Sequence, residues 1–304
     1  MNKIMSKLRS MKYTSVTASQ AVKWQGLVRS ELINLLKIED QIYDENVRSF
    51  QPEIVSSREN TRYRSKEIKI NATSKRQIEI IVTVPSNYVR PCPAVVAIAG
   101  HGGDRHTSYT KESYHRCAHI LAEQGYVTIS TGISQHDVRE SGRTLMGERL
   151  WDLIRCVDFL ESMKEVDNGR IGCIGNSLGG EMVMWLAAID QRLSVSVCSS
   201  FLTRMDQMEN NHCMCWKFPG LREIVDFADI YSLIAPRPLL CQNGLKEPLS
   251  QFPVHLAREV KKEVEIIYRD LDAQENFQFI AHDGGHEVHL SSLRSFLDSH
   301  FLSA

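Results

Sequence analysis

The sequence predicts an α/β fold: a mostly parallel twisted sheet with helices on both faces and an antiparallel N-terminal edge. Three observations carry this. Apolar, β-branched runs recur along the chain between segments of helical period, the alternation that builds βαβ units. One run, "PAVVAIAG" (93–100), is continuously apolar, the mark of a strand buried on both faces. The two runs before it, "KEIKI" (66–70) and "IEIIVTVP" (78–85), alternate apolar and polar residues, as an antiparallel hairpin does.

The elements follow in order. Residues 18–39 place Val22, Leu27, Leu32, Leu35 and Leu36 at roughly helical spacing, and 40–62 read as polar and irregular. After the hairpin and the 93–100 strand come a helix over 111–124 and a strand, "YVTIS" (126–130). A long amphipathic helix over 145–163 turns Leu145, Leu150, Ile154, Val157 and Leu160 inward. "RIGCIG" (170–175) reads as a strand, 179–189 as a helix and "LSVSVCSS" (193–200) as a strand. Residues 200–229 are irregular with a short helical piece, a candidate pocket-lining loop or cap. "RPLLCQNG" (237–244) is a strand, 250–262 a helix, "VEIIYRD" (264–270) a strand and 289–302 a helix. No repeat or low-complexity linker divides the chain, so residues 1–62 read as a helical extension and 63–304 as one catalytic domain.

The 304 residues are 42% hydrophobic and 24% charged, which is ordinary globular composition. A net charge of −1 leaves no electrostatic footprint for nucleic acid or an anionic membrane. The basic start "MNKIMSKLRSMKYTSV" lacks the apolar run of a secretory signal, and no stretch is long and apolar enough to span a bilayer. Four of the eight cysteines (Cys92, Cys173, Cys198, Cys241) fall in or beside apolar strand-like runs. Free buried thiols in a reducing cytoplasm are the expectation.

The chemistry centres on Gly175-Asn176-Ser177-Leu178-Gly179, between the 170–175 strand and the 179–189 helix. In G-x-S-x-G a serine occupies a tight strand-to-helix turn, small neighbours permit strained backbone angles, and the hydroxyl projects clear of the sheet. The following helix aims its N-terminal amides at negative charge developing beside that hydroxyl. Gly180 adds another small residue where helix and strand meet. A glycine-rich turn whose serine only caps the helix is the competing reading; the surrounding strand–turn–helix context favours a nucleophile.

A serine nucleophile needs a base, and the base an orienting acid. "IAHDGGHEVH" (280–289) precedes the last helix and offers His282, His286 and His289. His286, after two glycines, is the chosen base, with His282 behind it. Glu247 follows the 237–244 strand and is the acid, with Asp270 and Asp272 as alternatives. The oxyanion needs donors: the Leu178 amide, and the Gly102 or Gly103 amide in "AGHGGDRH" (99–106). His101, Asn176 and Trp216 are the expected substrate-pocket residues.

Ser177, Glu247, His286, the His-Gly-Gly loop and "LIAPRPLL" (233–240) together resemble the α/β-hydrolase superfamily. Within it, "SGRTLMGERLWD", "RIGCIGNSLGG", "ADIYSLIAPRPLL" and "GGH" are similar to runs in bacterial hydrolases related to acetyl xylan esterases and dienelactone hydrolases. The likeness spans roughly residues 20–300. It implies a cofactor-independent serine hydrolase acting on a small-molecule carboxylic ester. A lactonase or dienelactone-type hydrolase and a peptidase are the alternatives among enzymes, and a non-catalytic binding protein on this fold is the alternative of another class. One departure stands out: relatives usually carry aspartate where this chain has Glu247, and their Phe-Pro follows sooner than Phe252-Pro253.

His212-Cys213-Met214-Cys215 is metal-like, but no second Cys/His pair lies at fitting spacing, so no metal is expected. Arg143 and Glu148 are a candidate structural ion pair. The N-terminal helix is a candidate cover for the pocket or a contact in a homo-oligomer.

Overall fold

The computed structural model describes residues 9–14, 16–43, 49–88 and 91–301. The chain opens with helix α1 (Ala18–Leu36), α2 (Glu39–Tyr43) and strands β1 (Glu53–Glu59), β2 (Tyr63–Asn71), β3 (Gln77–Pro85) and β4 (Cys92–Ile98). It continues through α3 (Thr107–Thr110), α4 (Cys117–Glu123), β5 (Val127–Thr131), α5 (Leu145–Glu161), β6 (Val166–Asn176) and α6 (Leu178–Ile189). Strand β7 (Val195–Ser199) then leads to the short helices α7 (Met205–Asn211), α8 (Leu221–Ile224) and α9 (Phe227–Ser232). The chain closes with β8 (Leu239–Gly244), α10 (Val254–Asp270), β9 (Phe277–His282) and α11 (Leu290–Phe301).

The nine strands form one sheet in the order β1-β2-β3-β5-β4-β6-β7-β8-β9. Pairs from β1 to β5 are antiparallel, and every pair from β5 across to β9 is parallel. Strand β4 lies between β5 and β6, so the chain reverses direction across the sheet there. Open α/β sheets bind ligands at such a switch point, outside the carboxyl ends of the adjoining strands, here β4 and β6.

Side chains alternate between two cores, as the pleat demands. Ala94, Val96 and Ile98 face a core with α1, α5, α6, α9 and α10. Val95 and Ala97 face a second core with α4 and α11. Both faces are covered, which is why β4 reads as an unbroken apolar run.

Four readings of the sequence are corrected. Residues 264–270 do not form a strand; they complete α10, whose buried Ala257, Val260, Val264 and Ile267 keep helical spacing. The last strand is β9, and Asp270 and Asp272 lie at and just beyond a helix end rather than after a strand. Residues 53–59, taken as irregular, add β1 to the antiparallel edge. On α1, Val22 and Leu27 are exposed, and the buried stripe is Ala21, Gln25, Val28, Leu32, Ile33 and Leu36. Arg143 bonds to Asp40, while Glu148 accepts from the backbone amides of Arg139 and Glu140. No helix among the described residues is long and apolar enough to cross a membrane.

Candidate active site

Strand β6 ends at Asn176 and α6 begins at Leu178, which leaves Ser177 as the whole turn. Its backbone sits at φ 62, ψ −125, a conformation that costs a non-glycine residue of order 1–3 kcal/mol and persists only where surroundings impose it. The surroundings do impose it. Ser177 N–H donates to Ser199 O on β7 at 3.0 Å, and Ser177 O accepts from Glu181 N–H at 2.9 Å. A Cβ on Gly179 would stand 2.2 Å from Ile98 O, and one on Gly175 would stand 2.3 Å from Gly179 O. The flanking glycines are therefore required for the helix to reach the sheet.

The loop after β9 brings a histidine to a carboxylate. His286 Nδ1 lies 3.0 Å from Oε1 and 3.2 Å from Oε2 of Glu247, whose side chain is fully buried. Two backbone bonds tie the acid loop to the histidine loop: Leu245 N–H to His282 O at 2.8 Å and Lys246 N–H to Gly284 O at 3.0 Å. The His286 ring stacks on Phe252 with centroids 5.5 Å apart, and Phe252 stacks in turn on His212. Buried Gln242 anchors the far end of the loop, accepting from Ser199 Oγ and His289 N–H and donating to His289 O and Ser292 Oγ.

The other acid and base candidates are engaged elsewhere. Asp270 accepts from the Tyr13 hydroxyl at 2.8 Å. His282 Nδ1 accepts from Gly284 N–H, and its ring stacks on His289. His289 Nδ1 contacts Ser292 Oγ at 2.8 Å. Among the described residues Ser177 Oγ has no hydrogen-bond partner.

The loop after β4 runs past the elbow: a Cβ on Gly100 would lie 3.1 Å from Ser177 Cβ. The two amides expected to bind an oxyanion are both occupied, Gly102 N–H by Ser134 Oγ at 2.6 Å and Gly103 N–H by Gly100 O at 3.0 Å. Leu178 N–H, at the first position of α6, has no intrahelical acceptor. The His101 amide likewise has no acceptor among the described residues. Partial desolvation, reinforced by the charge of Arg149, holds the His101 imidazole below its ordinary 6.5. Of the expected pocket residues, His101 is exposed but Asn176 is buried, and Trp216 is wholly buried against Phe227. Trp216 belongs to the core under residues 200–229 and does not line an open pocket.

His101, His136, Cys213 and Cys215 bring one ligand atom each to within 4.8 Å of one another. His101 and His136 come from two loops that are distant in sequence from Cys213 and Cys215.

A serine elbow at the switch point of this sheet, with a histidine–carboxylate pair on the loops after β8 and β9, defines the α/β-hydrolase fold, and this chain has it. Residues 78–199 match the model of the dienelactone hydrolase family. The chain is 28% identical over 229 residues to YtaP of Bacillus subtilis, a protein assigned as a hydrolase, covering 66% of this chain and 75% of that one. It superposes on a Bacteroides fragilis protein assigned as an acetyl xylan esterase with a TM-score of 0.75 at 16% identity, over 91% of this chain and 79% of that one. On a glucuronoyl esterase from Solibacter usitatus the TM-score is 0.69 at 14% identity, over 96% and 98%.

Proposed function

We propose that this chain is a serine hydrolase that cleaves carboxylic esters through an acyl-enzyme. The observation that carries the reading is His286 Nδ1 held on the buried Glu247 carboxylate at 3.0 Å, on the loops after β8 and β9, in a chain whose Ser177 occupies a strained strand-to-helix elbow. Glu247 accepts a hydrogen bond from His286 Nδ1–H, which holds the proton on Nδ1 and leaves Nε2 as the base. Nε2 takes the Ser177 proton as Oγ attacks the carbonyl, then returns it to the leaving alkoxide. Leu178 and His101 amides receive the oxyanion, and water activated by His286 releases the acid. The esterase structures this chain superposes on support a small or carbohydrate-linked acyl ester as substrate. The family match over 78–199 supports a second reading, lactone opening by the same three residues. Eight free thiols suit a reducing cytoplasm.

A fluorophosphonate probe tests the nucleophile. Wild type is labelled and Ser177→Ala is not, with hydrolysis of p-nitrophenyl acetate falling to background. Labelling that survives in Ser177→Ala overturns the proposal, and comparing ester and lactone panels by kcat/KM separates the two readings.

A further inference from the structure

We propose that His101, His136, Cys213 and Cys215 form a tetrahedral zinc site that clips the 213–215 segment to the loop after β4. The inference does not depend on the ester-hydrolase reading.

The ligand set comes first. Two thiolates and two imidazoles are soft donors that select zinc over magnesium or calcium. They come from three separate segments, after β4, after β5 and between α7 and α8, so the fold and not a local motif assembles them. Zn–N near 2.0–2.1 Å and Zn–S near 2.3 Å place tetrahedral ligand atoms about 3.3–3.8 Å apart. His101 Nε2 already lies 3.2 Å from Cys215 Sγ, and the widest separation in the group is within 4.8 Å. Contraction of about 1 Å at loop side chains completes the tetrahedron.

The second observation lies beneath the cluster. Arg149 on α5 is fully buried. One Nη contacts Cys215 Sγ at 3.5 Å, and the other donates to the carbonyl of Gln135, next to His136, at 2.5 Å. A buried guanidinium thus holds two of the ligand segments, and it donates to sulfur as groups around zinc thiolates do. The third observation is exposure. Six cysteines are buried, whereas Cys213 is exposed and Cys215 half-buried. Cysteine is among the most buried residue types, and ligation accounts for the two that are not. Binding exchanges two thiol protons for the metal, and both imidazoles bind neutral. The His101 ring would then be fixed by the ion while its main chain passes the elbow.

The test uses the full chain without a histidine tag. Wild type purified from zinc-supplemented medium should carry about one zinc per chain by mass spectrometry of the metal, and Cys213→Ser/Cys215→Ser less than about one tenth of that. Cobalt(II) added to the metal-free wild type should give a thiolate charge-transfer band and the intense visible bands of a tetrahedral ion. A thiol-reactive disulfide reagent provides a check that needs no variant. Cys213 and Cys215 should react quickly in the metal-free protein and at least about tenfold more slowly with zinc bound. A cobalt spectrum without charge transfer, zinc content unchanged in the double variant, or thiol reactivity indifferent to zinc each overturns the proposal. So does a Cys213–Cys215 disulfide in protein purified under reducing conditions.

Discussion

Gly244 closes β8 directly beneath the His286 loop, and a single methyl group there probes the whole acid–base arrangement. A Cβ on Gly244 would stand 2.2 Å from Gly285 O, 2.5 Å from Gly284 O and 2.8 Å from Gly285 C. All three are backbone atoms, so no rotamer change relieves the overlap. An ordinary contact of about 3.4 Å requires the loop to retreat by about 1.2 Å, the difference between 2.2 and 3.4 Å. That retreat strains the Leu245–His282 and Lys246–Gly284 backbone bonds and lengthens the 3.0 Å contact between His286 and Glu247. A misplacement of about 1 Å costs on the order of 10² in rate, and overpacking costs about 1–3 kcal/mol in stability. Gly244→Ala should therefore lower kcat for p-nitrophenyl acetate about 100-fold with KM within about threefold, and lower Tm by a few degrees. In a Glu247→Gln background the same methyl should cost far less, because the pair it disturbs is already broken. A kcat for Gly244→Ala within about threefold of wild type refutes the reasoning. A full loss in the Glu247→Gln background means the methyl acts elsewhere.

Two further outcomes are expected. Glu247→Gln keeps the side-chain volume but removes the carboxylate facing His286 Nδ1, so kcat should fall about 10⁴-fold, by analogy with acid-to-amide changes in such triads. Asp270→Asn, whose carboxylate meets Tyr13 instead, should stay within about threefold of wild type, and the reverse ranking moves the acid to the later loop. The other outcome concerns pH. Burial pushes the Glu181 carboxyl on α6 from 4.5 up to about 8, against the opposing charge of Arg149. A folded-state pKa above the unfolded one means the native state keeps its proton longer, so this group erodes stability as pH rises from about 4.5 to about 8. The Tm advantage of Glu181→Gln over wild type should widen from about pH 5 to about pH 8, and a constant difference contradicts the buried-proton account.

The fold was legible wherever period and burial agree. β4 announces itself because both its faces are covered, and α5 because Leu150, Ile154, Val157 and Leu160 share one buried face. The errors fall where tertiary contacts decide. "VEIIYRD" is locally β-prone, yet Val264 and Ile267 continue the buried stripe set by Ala257 and Val260, so the helix wins. β1 is an edge strand of mostly exposed residues and offers no apolar alternation. The α1 stripe was misread because its buried face includes Gln25, whose amide donates to Ser232 O and Ala235 O. No periodicity argument places a glutamine inward when its partners lie more than 200 residues away.

At the site, legibility followed locality. The elbow is contiguous and its glycines are dictated by backbone contacts, so five residues sufficed. The engaged Gly102 and Gly103 amides and the His/Cys quartet depend on how separate loops meet, which spacing does not encode. Glu247 is the intermediate case. The sequence shows a longer acid and a late Phe252-Pro253, two departures that could each have meant a lost site. The structure makes them one adjustment. Glu247 is held at its near end by the Lys246–Gly284 bond, and Phe252 is buried against the His286 ring at the far end. The intervening residues bow outward, with Leu249 77% exposed. Both ends keep their contacts with the histidine, so the extra length goes to solvent and the carboxylate still reaches Nδ1. Shortening that bow should thus be tolerated, whereas moving either end should not.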